Sequence, residues 1–204
     1  MEILNLYSGI GGNRKLWKDV EVTAVEINPD IAKIYQEFFP DDKVIVGDAH
    51  QYLLENFKEY DFIWASPPCP THSKVRKNCA VGRGQNKPIY PDMNLYQEIL
   101  LLKHYFKGKW VIENVIAFYE PLIIPYEIAN HWFWSNFIIS NINVKGREHN
   151  SKIDQLEKRK GFDLSNYNIG IEKKLLLRNC VEPEVGKHIY DCAFKIQQEK
   201  LIEG

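Results

Sequence analysis

Ile3-Leu4-Asn5-Leu6-Tyr7-Ser8-Gly9-Ile10-Gly11-Gly12 opens the chain with a short apolar run that breaks into a cluster of glycines. The run reads as a buried strand, and the cluster as a glycine turn leading into a helix. Without a Cβ, such a turn lets backbone N–H groups approach a ligand closely. The same pattern recurs downstream. Residues 22–25 predict a second strand, after which Asn28 can cap a helix, Pro29 suits its first turn and Asp30 complements its positive end. Pro40 ends that helix. Residues 44–46 predict a third strand leading to Gly47-Asp48, and residues 62–65 a fourth leading into Ser66-Pro67-Pro68-Cys69. Leu95, Ile99, Leu102 and Phe106 recur at helical spacing, and residues 110–112 predict a fifth strand ending at Glu113-Asn114.

Strand alternating with helix predicts an α/β fold built on a doubly wound, mostly parallel sheet. Ligands bind such sheets at the carboxyl ends of the strands, where Gly9, Glu26, Asp48, Cys69 and Glu113 all fall. The 204 residues suffice for one medium-sized domain with a small appendage, and 45% hydrophobic with 26% charged content is that of a folded globular protein. No apolar stretch approaches the roughly 18 residues of a membrane span, and no leader-like segment opens the chain, so a cytoplasmic location without membrane attachment is expected.

Cys69, Cys79, Cys180 and Cys192 show neither CxxC pairing nor a histidine spacing suited to zinc, so free thiols and no metal are expected. A net charge of −1 leaves partners undecided, because nucleic-acid binding needs a local basic face rather than a basic total. Two clusters offer one: Lys74, Arg76, Lys77, Arg83 and Lys87, and Lys152, Lys158, Arg159 and Lys160. Residues 70–92 lack periodicity and read as a long loop. After an apolar run at 137–142 the chain turns polar, and the predicted division is a domain at 1–142, a small insert at 143–174 and a segment at 175–204. In the last, Val185, Ile189 and Cys192 fall on one helical face and predict that it packs back on the domain.

The chemistry concentrates at strand ends. Glu26 can accept hydrogen bonds from two ribose hydroxyls and Asp48 can accept from an adenine amino group, although either acid could instead cap a following helix. Consecutive prolines fix the backbone before Cys69, which suits a nucleophile as well as a buried structural thiol. If the fourth and fifth strands are neighbours, Glu113 joins that thiol in one pocket. A carboxylic acid bonded to N3 of a pyrimidine offsets the negative charge that develops when a thiolate attacks carbon 6.

Leu6-Tyr7-Ser8-Gly9-Ile10-Gly11-Gly12, Pro67-Pro68-Cys69-Pro70, Glu113-Asn114-Val115 and Arg178-Asn179-Cys180-Val181-Glu182-Pro183, in that order, resemble the DNA cytosine-5 methyltransferases. The resemblance implies the Rossmann-like fold of the S-adenosylmethionine-dependent enzymes, with S-adenosyl-L-methionine as cofactor and cytosine in double-stranded DNA as substrate. It implies Cys69 as nucleophile and Glu113 as the N3 partner. Glu26 would bind ribose, Asp48 adenine, and Asn179 and Val181 would close the cofactor pocket, which Tyr7, Ser8, Gly9, Gly11, Ile27, Ala49, Pro68 and Leu95 would line.

Substrate contacts would come from Ser73, Lys74, Arg76, Asn114 and His131, with residues 71–92 as a lid over a base flipped out of the duplex. A bacterial or phage restriction-modification setting is the expectation. An RNA cytosine-5 methyltransferase, or an inactive binding subunit on the same fold, are the alternatives. The chain departs from the family's pattern in two places. Where the family carries arginines beside the active site this chain reads Asn130-His131-Trp132-Phe133-Trp134, in which His131 is either a substitute or a packed core residue. The recognition region shrinks to the 143–174 insert, so target recognition is expected to need the lid, a second copy of the chain or a partner subunit.

Overall fold

The computed structural model describes residues 1–74, 90–143, 151–168, 170 and 172–194. Seven strands form one sheet: β1 (Glu2–Leu6), β2 (Glu21–Glu26), β3 (Lys43–Val46), β4 (Phe62–Ala65), β5 (Lys109–Val115), β6 (Tyr126–Ile128) and β7 (His131–Ser135), in the order β3-β2-β1-β4-β5-β7-β6. The first five are parallel, and β7 runs antiparallel between β5 and β6. From β1 the chain winds outward through β2 to β3, then returns to lay β4 on the other side of β1. The reversal opens a crevice at the carboxyl ends of β1 and β4, the switch point at which doubly wound sheets bind ligands.

Alternation along the strands divides the core. Leu4, Leu6, Ile63, Ala65, Trp110 and Ile112 face α2 (Ala49–Asn56) and α3 (Asn94–Tyr105), which contribute Leu53, Leu95, Ile99 and Leu102. On the opposite face Ile3, Phe62, Trp64, Val111 and Phe133 meet Trp17 and the Val185, Ile189 and Cys192 face of the last helix described, α6 (Pro183–Phe194). Helix α1 (Pro29–Phe38) starts as its sequence predicts, with the Asn28 side chain accepting from the Asp30 and Ile31 amides.

The structure departs from the sequence pattern in several places. The helix expected after the glycine turn is a series of turns, because Trp17 must drop into the core against Phe62 and Trp64 while Arg14 folds back onto Asp42 and the Trp17 carbonyl. Helix α6, from the far end of the chain, covers that part of the sheet instead. Strands β6 and β7 carry no alternating signal: β7 is buried on both faces through Trp132, Phe133 and Trp134, so its sequence reads as an undivided apolar run. The polar insert does not stand apart. Helix α4 (Ile153–Lys160) and the following segment send Leu156, Phe162 and Leu164 into a cluster with Ile10, Ile34, Tyr35 and Phe39. Lys160, read as one of a basic cluster, is 1% exposed, donates to the Cys180 carbonyl and pairs with Glu182.

One buried acid lies in the α3 stripe. Glu98 is fully buried, and its Oε1 accepts from the Tyr7 hydroxyl at 2.5 Å and meets His50 Nδ1 at 2.9 Å. The tie holds Tyr7 at φ 55°, a left-handed conformation that costs a non-glycine residue about 1 kcal/mol.

Two outcomes are expected. Gly186→Ala in α6 should gain about 1 kcal/mol of helix propensity, but the new Cβ would stand 2.4 Å from the Asn13 carbonyl oxygen and 2.5 Å from its Cα. Backbone cannot step aside, so urea unfolding should show a net loss of about 2 kcal/mol, within the usual range for overpacking. The second outcome concerns pH. Burial raises the Glu98 carboxyl above its ordinary 4.5, and the hydrogen bond to Glu98 raises His50 above 6.5. Both groups bind protons more tightly in the folded state, so their stabilisation is complete at acid pH and is lost as pH climbs through the raised values. Unfolding free energies should therefore fall more between about pH 6.5 and about pH 8 for the native chain than for Glu98→Gln.

Candidate active site

The crevice between β1 and β4 widens into a cleft of about 550 Å³. Its walls come from the glycine turn, the turn after β4, the end of β5, the start of β7 and the chain at the end of α5 (Lys173–Asn179). Of the residues singled out in the sequence, Tyr7, Ser8, Gly9, Glu26, Pro68, Cys69, Ser73, Glu113, Asn114, His131, Asn179 and Val181 line it. The cleft has the size of a small-ligand site.

The three glycines have separate tasks. Gly9 has φ +52° and a Cβ placed on it would meet nothing within 4 Å, so its backbone is open to a ligand. Gly11, expected to line the cofactor pocket, has no room for a side chain because a Cβ would stand 2.3 Å from the Phe39 ring and 2.8 Å from that of Tyr35. Gly12 admits the C-terminal segment: its Cβ would fall 2.2 Å from Cys180 Sγ and 2.3 Å from the Val181 carbonyl oxygen. Packing against a distant segment therefore accounts for two of the three.

Glu26 ends β2 with its carboxylate pinned across the turn, Oε2 accepting from the Gly9 amide at 3.0 Å and Oε1 from the Asn28 amide at 2.9 Å. Each oxygen keeps a second lone pair for a hydroxyl donor. Asp48 acts as the N-cap of α2, accepting from the Gln51 amide at 3.0 Å, and lies outside the cleft lining. Ala49 and Leu95 also lie outside it, buried in the core packed against α2 and α3. Ile27 is 69% exposed beside Glu26, and Lys74 is exposed at the last described residue before 90; Arg76, Lys77, Cys79, Arg83, Lys87 and most of the expected lid lie outside the described residues.

Strands β4 and β5 are parallel neighbours, with Ala65 level with Ile112, and this brings the turn bearing Cys69 beside Glu113. Asn114 is 2% exposed and fixes the two together. Its Nδ2 donates to the Pro67 carbonyl at 3.0 Å and its Oδ1 accepts from the Val115 amide at 2.9 Å, so its amide is engaged by backbone on both sides. Beyond the thiol, the Cys69 carbonyl accepts from the His72 and Ser73 amides at 3.0 and 3.1 Å. His72 Nδ1 meets the Tyr119 hydroxyl at 2.5 Å, and burial lowers the proton affinity of this imidazole. The Cys69 turn is thus bolted to the end of β5 and to the loop beyond it.

Glu113 and His131 face each other across β5 and β7, with Oε1 3.6 Å from Nε2 and each side chain nine-tenths or more buried. Ser66, Arg178 and Glu98 were given no role from the sequence, although the first two line the cleft and the third ties down Tyr7. Glu98 had a visible signal, since it lies three residues after Leu95 on an otherwise apolar face. Among the described residues no cluster suits a metal ion and no helix is long and apolar enough to cross a membrane. The open Gly9 backbone, the Glu26 carboxylate and a cleft of this volume fit a nucleoside-sized cofactor.

A model of the C-5 cytosine-specific DNA methylase family matches residues 1–121. Over 83 residues the chain is 36% identical to a tRNA (cytosine(38)-C(5))-methyltransferase of Spodoptera frugiperda, a match that covers 37% of this chain and 25% of that protein. The chain therefore aligns with about a quarter of that relative's length. Among solved structures, a mutant of Spodoptera frugiperda DNMT2 is 27% identical with a TM-score of 0.40, covering 56% of this chain and 35% of the other. A putative DNA modification methyltransferase encoded within an E. coli prophage is 19% identical with a TM-score of 0.38, covering 59% and 33%. The family match takes in the glycine turn, the Cys69 turn and the Glu113 strand, and by it this chain belongs to the C-5 cytosine-specific DNA methylase family, whose methyl donor is S-adenosylmethionine.

Proposed function

We propose that the chain methylates carbon 5 of cytosine in DNA through a covalent adduct between Cys69 and carbon 6. The observation that carries this reading is the pairing of Cys69 and Glu113 at the carboxyl ends of adjacent parallel strands, on one cleft that also holds the open Gly9 backbone. A thiol and a carboxyl so placed can act on the two positions of one pyrimidine ring that need them. Cys69 adds to carbon 6 while Glu113 donates a hydrogen bond to N3, drawing the displaced electron pair toward N3 and making carbon 5 nucleophilic. S-adenosylmethionine, when bound, supplies the methyl group for that carbon. Expulsion of the Cys69 thiolate after loss of the carbon 5 proton restores the ring.

In this reading Glu26 receives the cofactor's ribose hydroxyls, the backbone at Ser8 and Gly9 approaches it closely, and Tyr7, Pro68, Asn179 and Val181 complete its walls. Ile27 offers exposed apolar surface beside Glu26 for a purine face, and Asp48 stands as the partner for its amino group. Gly11, Ala49 and Leu95 act through packing. Asn114 positions the nucleophile turn, Ser73 on the cleft wall is assigned to the base, and Lys74 and Arg76 are assigned to the phosphates. Carbon 6 is unreachable inside a stacked duplex, so the target base must leave the helix. A second reading, cytosine in RNA, is favoured by the tRNA-methylating relative.

The test uses DNA containing 5-fluorocytosine, from which the fluorine cannot be removed, so that the adduct persists. An adduct should form with the native chain and S-adenosylmethionine, vanish in Cys69→Ala and form about 100-fold more slowly in Glu113→Gln. An adduct that survives Cys69→Ala overturns the mechanism. Labelled methyl transfer to duplex DNA and to transfer RNA in parallel decides the substrate, and transfer to RNA alone replaces DNA with RNA.

A further inference from the structure

His131 begins β7, one strand beyond Glu113, with Val115 as its partner in register. The turn that delivers it, Ala129-Asn130, has both residues at positive φ, 50° and 62°, the handedness of a type I′ hairpin. Asparagine tolerates that conformation; alanine pays about 1 kcal/mol for it. The result is a fixed imidazole, with Nδ1 lying 3.1 Å from the Ala129 carbonyl oxygen. A carbonyl only accepts, so Nδ1 carries a proton in both charge states and Nε2 is the nitrogen that titrates.

Nε2 is turned to Glu113 Oε1 at 3.6 Å, and the two side chains are 7% and 10% exposed. A buried carboxyl and a buried imidazole at this separation are most stable with one proton between them. Removing it leaves a net negative charge in a poorly solvated place, and adding another leaves a net positive one. The other titratable or charged side chains on the cleft are Tyr7, Glu26, Cys69, Arg178 and Cys180.

We propose that His131 is a positioning residue that keeps one transferable proton on the Glu113–His131 pair, ready for N3 of the target base; the proposal rests on the cytosine-5 reading above. Cys69 attacks as the thiolate, its proton released to solvent. As the Sγ–C6 bond forms, the C5=C6 π pair shifts to C4=C5 and the C4=N3 pair takes the proton from Glu113. The same single proton can rest on His131 Nε2, and it reaches Glu113 through Oε1 before passing to N3. When the C4=C5 pair takes the methyl group at carbon 5, C4=N3 re-forms and the N3 proton returns to the pair; water then takes the carbon 5 proton, the C5–H pair re-forms C5=C6, and the Sγ–C6 pair leaves with Cys69 as thiolate. Atoms and charge balance with S-adenosylmethionine as methyl donor and water as acceptor of the carbon 5 proton.

The experiment follows the rate of adduct formation with 5-fluorocytosine DNA and S-adenosylmethionine from about pH 5 to about pH 9. His131→Gln keeps an N–H donor near the place of Nε2 but cannot titrate. Its alkaline limb should move at least about 1 pH unit lower and its maximum should fall about 10-fold, while equilibrium dialysis finds cofactor affinity unchanged. A second measurement needs neither substrate nor cofactor: the ¹⁵N signal of His131 Nε2 should titrate about 1 pH unit or more lower in Glu113→Gln than in the native chain. A His131→Gln rate that is merely scaled down with its limb unmoved, or a His131 titration indifferent to Glu113→Gln, overturns the proposal. If the native chain forms no adduct with DNA or RNA, the cytosine-5 reading falls too; an adduct through Cys69 with an unmoved limb removes only the role of His131.

Discussion

Setting β1 between β2 and β4, with both neighbours parallel to it, obliges the chain to leave the sheet in opposite directions on its two sides. Neither connection can fill the space above the carboxyl ends of β1 and β4, and the cleft is the volume left over. Everything of chemical interest depends on that reversal. The glycine turn closes one wall because β1 ends there, and the rigid proline turn closes another because β4 ends level with it. Glu113 reaches the same volume only because β5 is the next strand along and runs in the same sense. A change of register by one residue along β5 would send Glu113 to the opposite face and put Asn114 in its place.

Local pattern carried most of this. The first five strands, the Asn28 cap, the α3 stripe and the apolar face of α6 are each written in a few adjacent residues with a recognisable period or a turn residue. What stayed hidden depends on distant partners. Trp17 belongs to the core only because Phe62, Trp64 and Tyr190 arrive from elsewhere, and no local signal forecasts that the residues before it will run as turns rather than helix. β7 is apolar on both faces and lacks the alternation that announces a strand.

The candidate site divides in the same way. Cys69, Glu113, Glu26 and Gly9 were legible because each stands at a strand end. Gly11, Ala49 and Leu95 lie near the same ends but are taken up by packing, a fact set by α1, α2 and α3 rather than by their own neighbours in sequence. Asn114 was legible as important, and the structure adds that its side chain donates to the Pro67 carbonyl and so braces the turn that bears the thiol. His131 was open between a core residue and a site residue, and it lies buried against the Phe133 ring while its Nε2 faces Glu113.

The burial of Lys160 bears on how this protein can change over evolutionary time. Its ammonium group joins α4 to the Cys180 carbonyl and to Glu182, and Cys180 and Val181 in turn press on Gly12 of the glycine turn. A recognition arm that stands clear of its catalytic body can be lengthened or exchanged as a cassette. The segment here is mortared into the wall of the cleft, so replacing it wholesale would strand a buried cation and open the cleft's floor. Point changes at exposed positions leave that wall standing, whereas exchange of the whole stretch does not.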